Sequence, residues 1–218
     1  MNKKIKVFTS AFLLLGLSTI TLVNKEPAKA LDNQSYSMEQ FKNDQRELTN
    51  NSDADNDFIE IDNETYTEEE FDQFKQTSDL IDNRNGEDKS DDVQLEKDFI
   101  KEKVIFNKAK EVGINISSDE VKQFAELSKQ NFDNSTDQAS KDFIKAYIKA
   151  LGLSEKEYWD SYALKGYEYA LTIGQLKDKV IQNLDVEKTN PDYLLITESE
   201  WNKYVDELIK DSNVIQVK

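Results

Sequence analysis

The sequence predicts a mainly α-helical domain of about six helices, with a small two-stranded sheet that joins segments near the two ends of the chain. Apolar residues recur with the helical period between predicted helix starts. Two short β-rich runs, residues 58–62 and 214–217, stand at opposite ends of the helical region. A lone strand leaves its backbone groups unpaired, so we expect these two runs to pair. Four helix starts show a capping box, in which Ser or Thr and a Glu three residues later satisfy each other's backbone donors: Thr67/Glu70, Ser117/Glu120, Ser154/Glu157 and Thr197/Glu200.

Residues 1–30 have the pattern of a secretion signal. Three lysines among the first six residues precede an uncharged apolar run over residues 7–23, and Ala-Lys-Ala at 28–30 has the small-x-small form of a signal-peptidase site. We predict cleavage after Ala30 and a secreted or extracytoplasmic location, in the cell envelope or outside the cell. An uncleaved membrane anchor is the alternative, because the apolar run is near the short end of a spanning length.

The composition excludes several kinds of catalysis. The 218 residues include no His and no Cys. Zinc sites built on those residues, Ser-His-Asp systems and Cys-His systems are therefore impossible, and we predict no cofactor and no metal. A carboxylate-only hydrolase stays open, with Glu68-Glu69-Glu70 and Asp91-Asp92 as candidate acid/base pairs or calcium ligands. Acidic first turns are also what the helix dipole favours, so a structural role is the alternative. An exported chain without cysteine is typical of a Gram-positive bacterium.

The strong negative charge limits the choice of partners. The chain carries 28 basic and 44 acidic residues, a net charge of −16. Cleavage after Ala30 would remove five lysines and one glutamate, leaving 23 basic and 43 acidic residues and a net charge of −20. Such a surface repels phosphate backbones and anionic lipids, so nucleic acid and membrane surfaces are poor partner candidates. We expect no nucleic-acid partner and no stable membrane insertion after signal cleavage. The charge is typical of a strongly solvated exported protein, and a preference for basic clients is the alternative.

Two polar stretches are predicted to lie outside regular structure. Residues 31–57 are rich in Asn, Asp, Ser and Gln, and we expect a mostly disordered leader with a possible short helix over residues 38–48. Residues 77–89 contain Asp-Asn-Arg-Asn-Gly and are predicted to form a loop. The folded domain would then cover residues 58–218, enough for one domain with a core.

The helices follow from apolar spacing and caps. A helix is predicted over residues 90–112, and a second apolar face precedes Gly152, which stands in the C-cap position. A long helix is predicted over residues 154–184 and a closing helix over residues 198–210. The apolar side chains of the closing helix are Trp201, Tyr204, Val205, Leu208 and Ile209.

The predicted long helix is apolar on two nearly opposite faces. Its main stripe consists of Tyr158, Tyr162, Tyr169, Ile173, Leu176 and Val180. The second stripe consists of Leu164, Tyr167 and Leu171. Either both stripes are internal and the helix is packed between two partners, or the second stripe is a partly exposed contact surface for other chains.

The order of these elements resembles the SurA/PrsA class of secreted folding factors. The resemblance starts with the strand, turn and helix start at residues 58–71 and continues through the passage at residues 107–121. It extends to the entry into the long helix at residues 151–158 and to the closing helix and strand at residues 201–217. The resemblance implies a SurA N-terminal-like lobe that the C-terminal helix and strand complete.

The chain departs from that class because it lacks a segment long enough to form the catalytic domain. The class usually carries a parvulin-type prolyl-isomerase domain before the closing helix, where residues 185–196 offer only a short loop. Lipid attachment, common among PrsA-type proteins, is excluded because no cysteine follows Ala30. The resemblance therefore implies a chaperone lobe that binds extended apolar segments of unfolded or partly folded exported proteins, without isomerase activity. The alternative is a dedicated extracellular interaction or regulatory protein that reuses the fold. The predicted client-binding residues are Trp159, Leu164, Tyr167, Leu171, Trp201 and Tyr204.

Overall fold

The computed structural model describes residues 37–50, 56–184 and 186–216, and over these residues the chain is mainly helical with one small antiparallel sheet. The strands are β1 (Asp57–Ile61), β2 (Glu64–Thr67) and β3 (Val214–Gln216). The helices are α1 (Met38–Asn50), α2 (Glu68–Asn85), α3 (Asp92–Glu111), α4 (Ser118–Asn134), α5 (Gln138–Ala150), α6 (the contiguous segments Glu155–Glu157, Tyr158–Tyr162 and Ala163–Gln182) and α7 (Tyr193–Asp211). The predicted mainly α fold class is confirmed. The predicted secretion signal and its cleavage site lie outside the described residues.

The sheet joins segments near the two ends of the described chain, as predicted, but it has three strands and not two. The strand order is β2-β1-β3, and β1 pairs with β3 in the register Ile59↔Gln216 and Ile61↔Val214. The additional strand, β2, forms a hairpin with β1 through Asp62 and Asn63, which have φ angles of 51° and 70°. Two central residues with positive φ make the kind of turn that matches strand twist. β2 was not predicted as a strand, because its polar sequence lacks the alternation of apolar and polar residues and favours a turn.

A cluster of aromatic rings lies under the sheet and fixes it to α2 and α3. Phe99 of α3 is completely buried, as are Ile59 and Ile61 of β1. The ring centroid of Phe99 lies between 5.4 and 6.3 Å from four other aromatic rings. Those rings are Phe58, Tyr66, Phe71 and Phe74, and with Phe99, Ile59, Ile61, Leu95 and Val104 they form what we call the sheet cluster.

Two segments that were predicted to be irregular are helical. Helix α2 continues to Asn85, so the prediction of a loop over residues 77–89 was wrong for most of that stretch. The stretch is rich in polar residues, but the helix has a buried face there that includes Leu80 and Ile81. The helix ends at Gly86, which adopts a φ of 69°. Within the predicted disordered leader, the possible short helix is formed as α1, which packs against α2 and α5. Residues 31–36 and 51–55 of the leader lie outside the described residues.

Three of the four predicted capping boxes are present, and the fourth was wrong. Thr67, Ser117 and Ser154 each accept a hydrogen bond from the backbone N–H of the glutamate three residues later, which bonds back to the cap residue. Thr197 instead lies inside α7, where its hydroxyl donates to the carbonyl of Tyr193. The closing helix thus begins five residues earlier than the capping pattern predicted. Glu68-Glu69-Glu70 form the acidic first turn of α2, and Asp91 caps α3.

Helix α6 is packed on both sides, as the first interpretation of its two stripes proposed. Tyr167 meets Phe124 of α4 at a ring distance of 5.2 Å, and Tyr169 meets Phe106 of α3 at 5.0 Å. The main stripe is divided, however, because Tyr158–Tyr162 form a π-helical turn. A π turn contains one more residue than an α turn and rotates the residues before it relative to those after it. Tyr158 and Tyr162 consequently pack with Tyr167, in what we call the central cluster.

Candidate functional site

The six predicted client-binding residues do not form one exposed surface. Trp159, Tyr167 and Trp201 are buried, with 3%, 1% and 7% of their surface exposed. Leu164, Leu171 and Tyr204 are half-buried. Four of the six belong to α6 and the other two to α7, in separate parts of the core. In this conformation these side chains hold the helices together and offer little surface to another chain.

The four residues on α6 pack in the central cluster. The indole ring of Trp159 lies 5.5 Å from the ring of Phe132 and 5.1 Å from that of Tyr158. Leu164 and Leu171 pack at the margin of the same cluster. Both belong to the central cluster, whereas the closing helix packs in a separate cluster. The second stripe is therefore an internal contact of the domain.

The two residues on α7 pack on the opposite side of α6. Trp201 stacks on Tyr204 at a ring distance of 5.8 Å, and together with Ile105, Ala109, Leu176 and Val205 they form what we call the closing cluster. The ammonium of Lys177 lies 5.9 Å from the centre of the Trp201 ring. Lys177 also donates to Glu198 over 2.6 Å, so an ion pair joins α6 to α7 beside the aromatic pair.

The most exposed large apolar side chains among the described residues lie elsewhere, at the start of α7. Leu194 and Leu195 are 79% and 72% exposed. Both leucines therefore lie open to solvent in the first turn of α7. We call this pair the α7 tip. Sequence reasoning missed it because the helix was predicted to start at Glu198, although the run Tyr-Leu-Leu-Ile at 193–196 was an available signal.

Acidic side chains flank the α7 tip. Asp192 directly precedes the helix and is exposed, and Glu198 follows one turn later and is also exposed. Glu198 forms an ion pair with Lys177, and the two leucines of the tip are uncharged. An apolar pair between carboxylates is suited to apolar side chains that have basic neighbours.

The titratable groups with the largest pKa changes are buried tyrosines, and their environment is structural. Burial removes the water that would solvate a phenolate, so it raises the pKa of Tyr147, Tyr158 and Tyr169 well above the ordinary value. Burial also raises the pKa of Tyr66, to about 12, against a hydrogen bond from its hydroxyl to Asn107. These hydroxyls stay protonated at neutral pH and do not serve as bases there.

Neither a metal cluster nor a membrane-spanning helix is found in the described part of the chain. Over residues 37–50, 56–184 and 186–216, no group of three His, Cys, Asp or Glu side chains is placed to hold a metal ion. No helix in the same ranges is both long enough and apolar enough to cross a membrane.

A cleft of about 430 Å³ lies beside the hairpin turn, between the ends of α3 and α7, and none of the six predicted residues lines it.

Comparison with known proteins gives one informative similarity. No protein-family model matches the chain, and no solved structure matches it. The chain is similar to the glutamate-rich protein GrpA of Alkalihalophilus pseudofirmus, with 28% identity over 120 residues that make up 54% of this chain and 68% of the relative. This similarity does not establish a relationship with the SurA/PrsA class.

Proposed function

We propose that the protein is an exported, non-enzymatic interaction protein that binds one kind of partner segment, apolar and flanked by basic residues, at the α7 tip. The observation that carries the proposal is the exposure of Leu194 and Leu195, in contrast to the burial of predicted contact residues such as Trp159, Tyr167 and Trp201. Adjacent exposed leucines are a small apolar patch with an acidic border, which fits a short segment better than a large unfolded chain.

The charge of the chain supports a basic partner. A net charge of −16 attracts basic segments over a distance of about one Debye length and keeps the protein dispersed. Asp192 provides the local part of this field at the tip, whereas the charge of Glu198 is offset by its ion pair with Lys177. The apolar contact would supply affinity, and the carboxylates would supply orientation and the preference for basic neighbours.

The proposal predicts selective binding of one peptide among three of equal length. Fluorescence anisotropy would compare peptides of about ten residues that are apolar and basic, apolar and acidic, or polar and basic. We expect binding of the first alone. In the double variant Leu194→Asp/Leu195→Asp the Kd should rise at least about tenfold, because burying one leucine contributes about 1.5–3 kcal/mol and 1.4 kcal/mol is tenfold in Kd.

Val93→Asp/Leu127→Asp is the matched control for the peptide experiment. Val93 on α3 and Leu127 on α4 are exposed, and their two substitutions add the same two negative charges as the double variant at the tip. Its Kd should equal that of the unmodified protein at the same salt concentration. If both variants weaken binding equally, the effect is one of overall charge, and the tip is not the site.

A second candidate function is a holdase, which binds extended segments of non-native exported proteins and keeps them from aggregating. The edge of the sheet favours it. The backbone N–H of Asp62 donates to Asn213, so the alternation of the ladder directs the backbone groups of Val214 and Gln216 away from β1. Val214 and Ile215 are exposed on this free edge, where an extended segment could add as a further strand.

An aggregation assay separates the two candidates. Light scattering would follow a denatured exported protein in the presence of a several-fold molar excess of this chain. A dedicated interaction protein is expected to leave the aggregation rate unchanged. Clear suppression at that ratio would instead support the holdase, and Val214→Pro, which removes an N–H that points to the free edge of β3, would then be expected to reduce the suppression.

A further inference from the structure

Glu198 is the carboxylate that follows the α7 tip by one helical turn. It stands four positions after Leu194 and three after Leu195, and these spacings bring side chains together on the surface of a helix. The side chain of Glu198 is 57% exposed. A segment seated on the two leucines would therefore have this carboxylate within reach of a neighbouring basic residue.

Glu198 already has a cation beside it. The ammonium of Lys177 on α6 donates to the carboxylate over 2.6 Å, and it lies 5.9 Å from the centre of the Trp201 ring. A basic residue from another chain must therefore compete with Lys177 for this carboxylate. The lysine sets how much of the negative charge at the tip a partner can use.

The pair of Lys177 and Glu198 can be exchanged without loss of the fold. The two side chains are 32% and 57% exposed, so water screens their attraction, and ion pairs of this kind contribute little to stability. Contact between α6 and α7 does not depend on the pair, because Leu176, Trp201 and Val205 join the two helices in the closing cluster. Lys177 can therefore leave Glu198 while the helices stay packed.

We propose that Lys177 is a resident cation of the α7 tip and that the basic residue of the partner segment replaces it at Glu198. This inference rests on the proposed function and adds the regulation of that site. Because one ion pair is exchanged for another, a basic residue alone gains little affinity. Contact with Leu194 and Leu195 then decides which basic segments bind, so the resident lysine excludes segments that are basic but not apolar.

Fluorescence anisotropy of the Lys177→Gln variant with the apolar and basic peptide tests the exchange. The Kd should fall about two- to fivefold, the range that an exposed ion pair contributes, because the peptide no longer competes with a lysine for Glu198. The Lys177→Arg variant keeps a cation beside Glu198 and should bind the peptide with the Kd of the unmodified protein.

Lys129→Gln is the matched control for Lys177→Gln. Lys129 pairs with Asp133 on α4, also over 2.6 Å, so this substitution likewise removes one cation and releases one carboxylate. Its Kd should equal that of the unmodified protein. If the peptide binds but Lys177→Gln has the same Kd as Lys129→Gln, this inference fails, and the double variant at the tip still decides the proposed function. If neither the unmodified protein nor Lys177→Gln binds the peptide, both fail.

The Glu198→Gln substitution shows whether the gain depends on that carboxylate. In the Glu198→Gln background, Lys177→Gln should lower the Kd much less than it does in the unmodified protein, because there is no carboxylate left to compete for. An equal gain in the two backgrounds would mean that Lys177 acts only by repelling the peptide at a distance, and it would overturn the exchange.

Chemical labelling tests the exchange in the unmodified protein. Binding of the apolar and basic peptide should speed the acetylation of Lys177 by a small amine reagent, because its ammonium is released from Glu198, and mass spectrometry measures the rate at this residue. A rate that is unchanged or lower at saturating peptide would contradict the exchange. This measurement decides the matter if Lys177→Gln does not fold.

Discussion

Replacing Phe99 with alanine is expected to lower the free energy of unfolding by about 3–5 kcal/mol, the range for a fully buried phenylalanine. Phe99 is 0% exposed and lies at the centre of the sheet cluster, with four aromatic rings around it. The cavity would separate α3 from β1 and α2, and the edge-to-face ring contacts would be lost as well. Chemical denaturation followed by circular dichroism and by the fluorescence of Trp159 and Trp201 measures this loss.

Phe143→Ala is the matched control for Phe99→Ala. Phe143 lies on α5, is half-buried, and has the guanidinium of Arg84 4.7 Å from its ring centre. The surroundings can relax into the space it leaves, so we expect a loss clearly smaller than that of Phe99→Ala. Equal losses for the two variants would mean that the sheet cluster is not a principal source of stability.

The second large effect is a steep loss of stability in alkali. The pKa values of Tyr147, Tyr158 and Tyr169 are raised by burial in the folded state, whereas in the unfolded chain these groups ionise near pH 10. Their contribution is therefore complete below pH 10 and decreases as the pH rises toward the folded-state pKa values. Each group contributes about 1.4 kcal/mol per pH unit, so the three together lower the unfolding free energy by about 4 kcal/mol per unit above pH 10.

Denaturation midpoints measured from pH 8 to pH 12 check the alkaline prediction, together with tyrosinate absorbance. The tyrosinate signal of the buried rings should appear only as the chain unfolds. Tyr147→Phe removes one of the three groups and the contact of its hydroxyl with that of Tyr162, 3.4 Å away. In that variant the loss of unfolding free energy should be less steep by about 1.4 kcal/mol per pH unit, the contribution of one group. A constant free energy of unfolding up to pH 12 would contradict the assignment of these rings to the core.

The sequence was informative where a local pattern determines the structure. Three capping boxes were found correctly because each needs only a cap residue and a glutamate three positions later. The pairing of β1 with β3 followed from the need of each strand for a partner. The prediction of a loop at residues 77–89 was wrong because polar residues on the surface of α2 are more numerous there than the residues of its buried face. The prediction of a cap at Thr197 was wrong because a threonine inside a helix can also donate a hydrogen bond to a carbonyl of the preceding turn.

The candidate site was harder to predict than the fold. A helical wheel places Tyr158 and Tyr162 with Tyr169, and nothing in the local sequence shows the π turn that separates them. Whether Trp159 or Tyr167 is exposed depends on α4, whose position is set by contacts distant in sequence. The α7 tip depends on the first residue of one helix, and helix ends are the least certain part of any pattern.

The pairing of β1 with β3 also determines when the chain can finish folding. The backbone N–H of Asn213 donates to the carboxylate of Asp62, and the two residues are 151 positions apart. Leu208 and Ile209 of α7 pack against the same sheet cluster. Ribosomes make the chain from its N-terminus, so β1 can pair with β3 only after residues some 150 positions later have been synthesised. Until then, the edge of β1 that faces β3 stays unpaired, and the sheet cluster lacks Leu208 and Ile209.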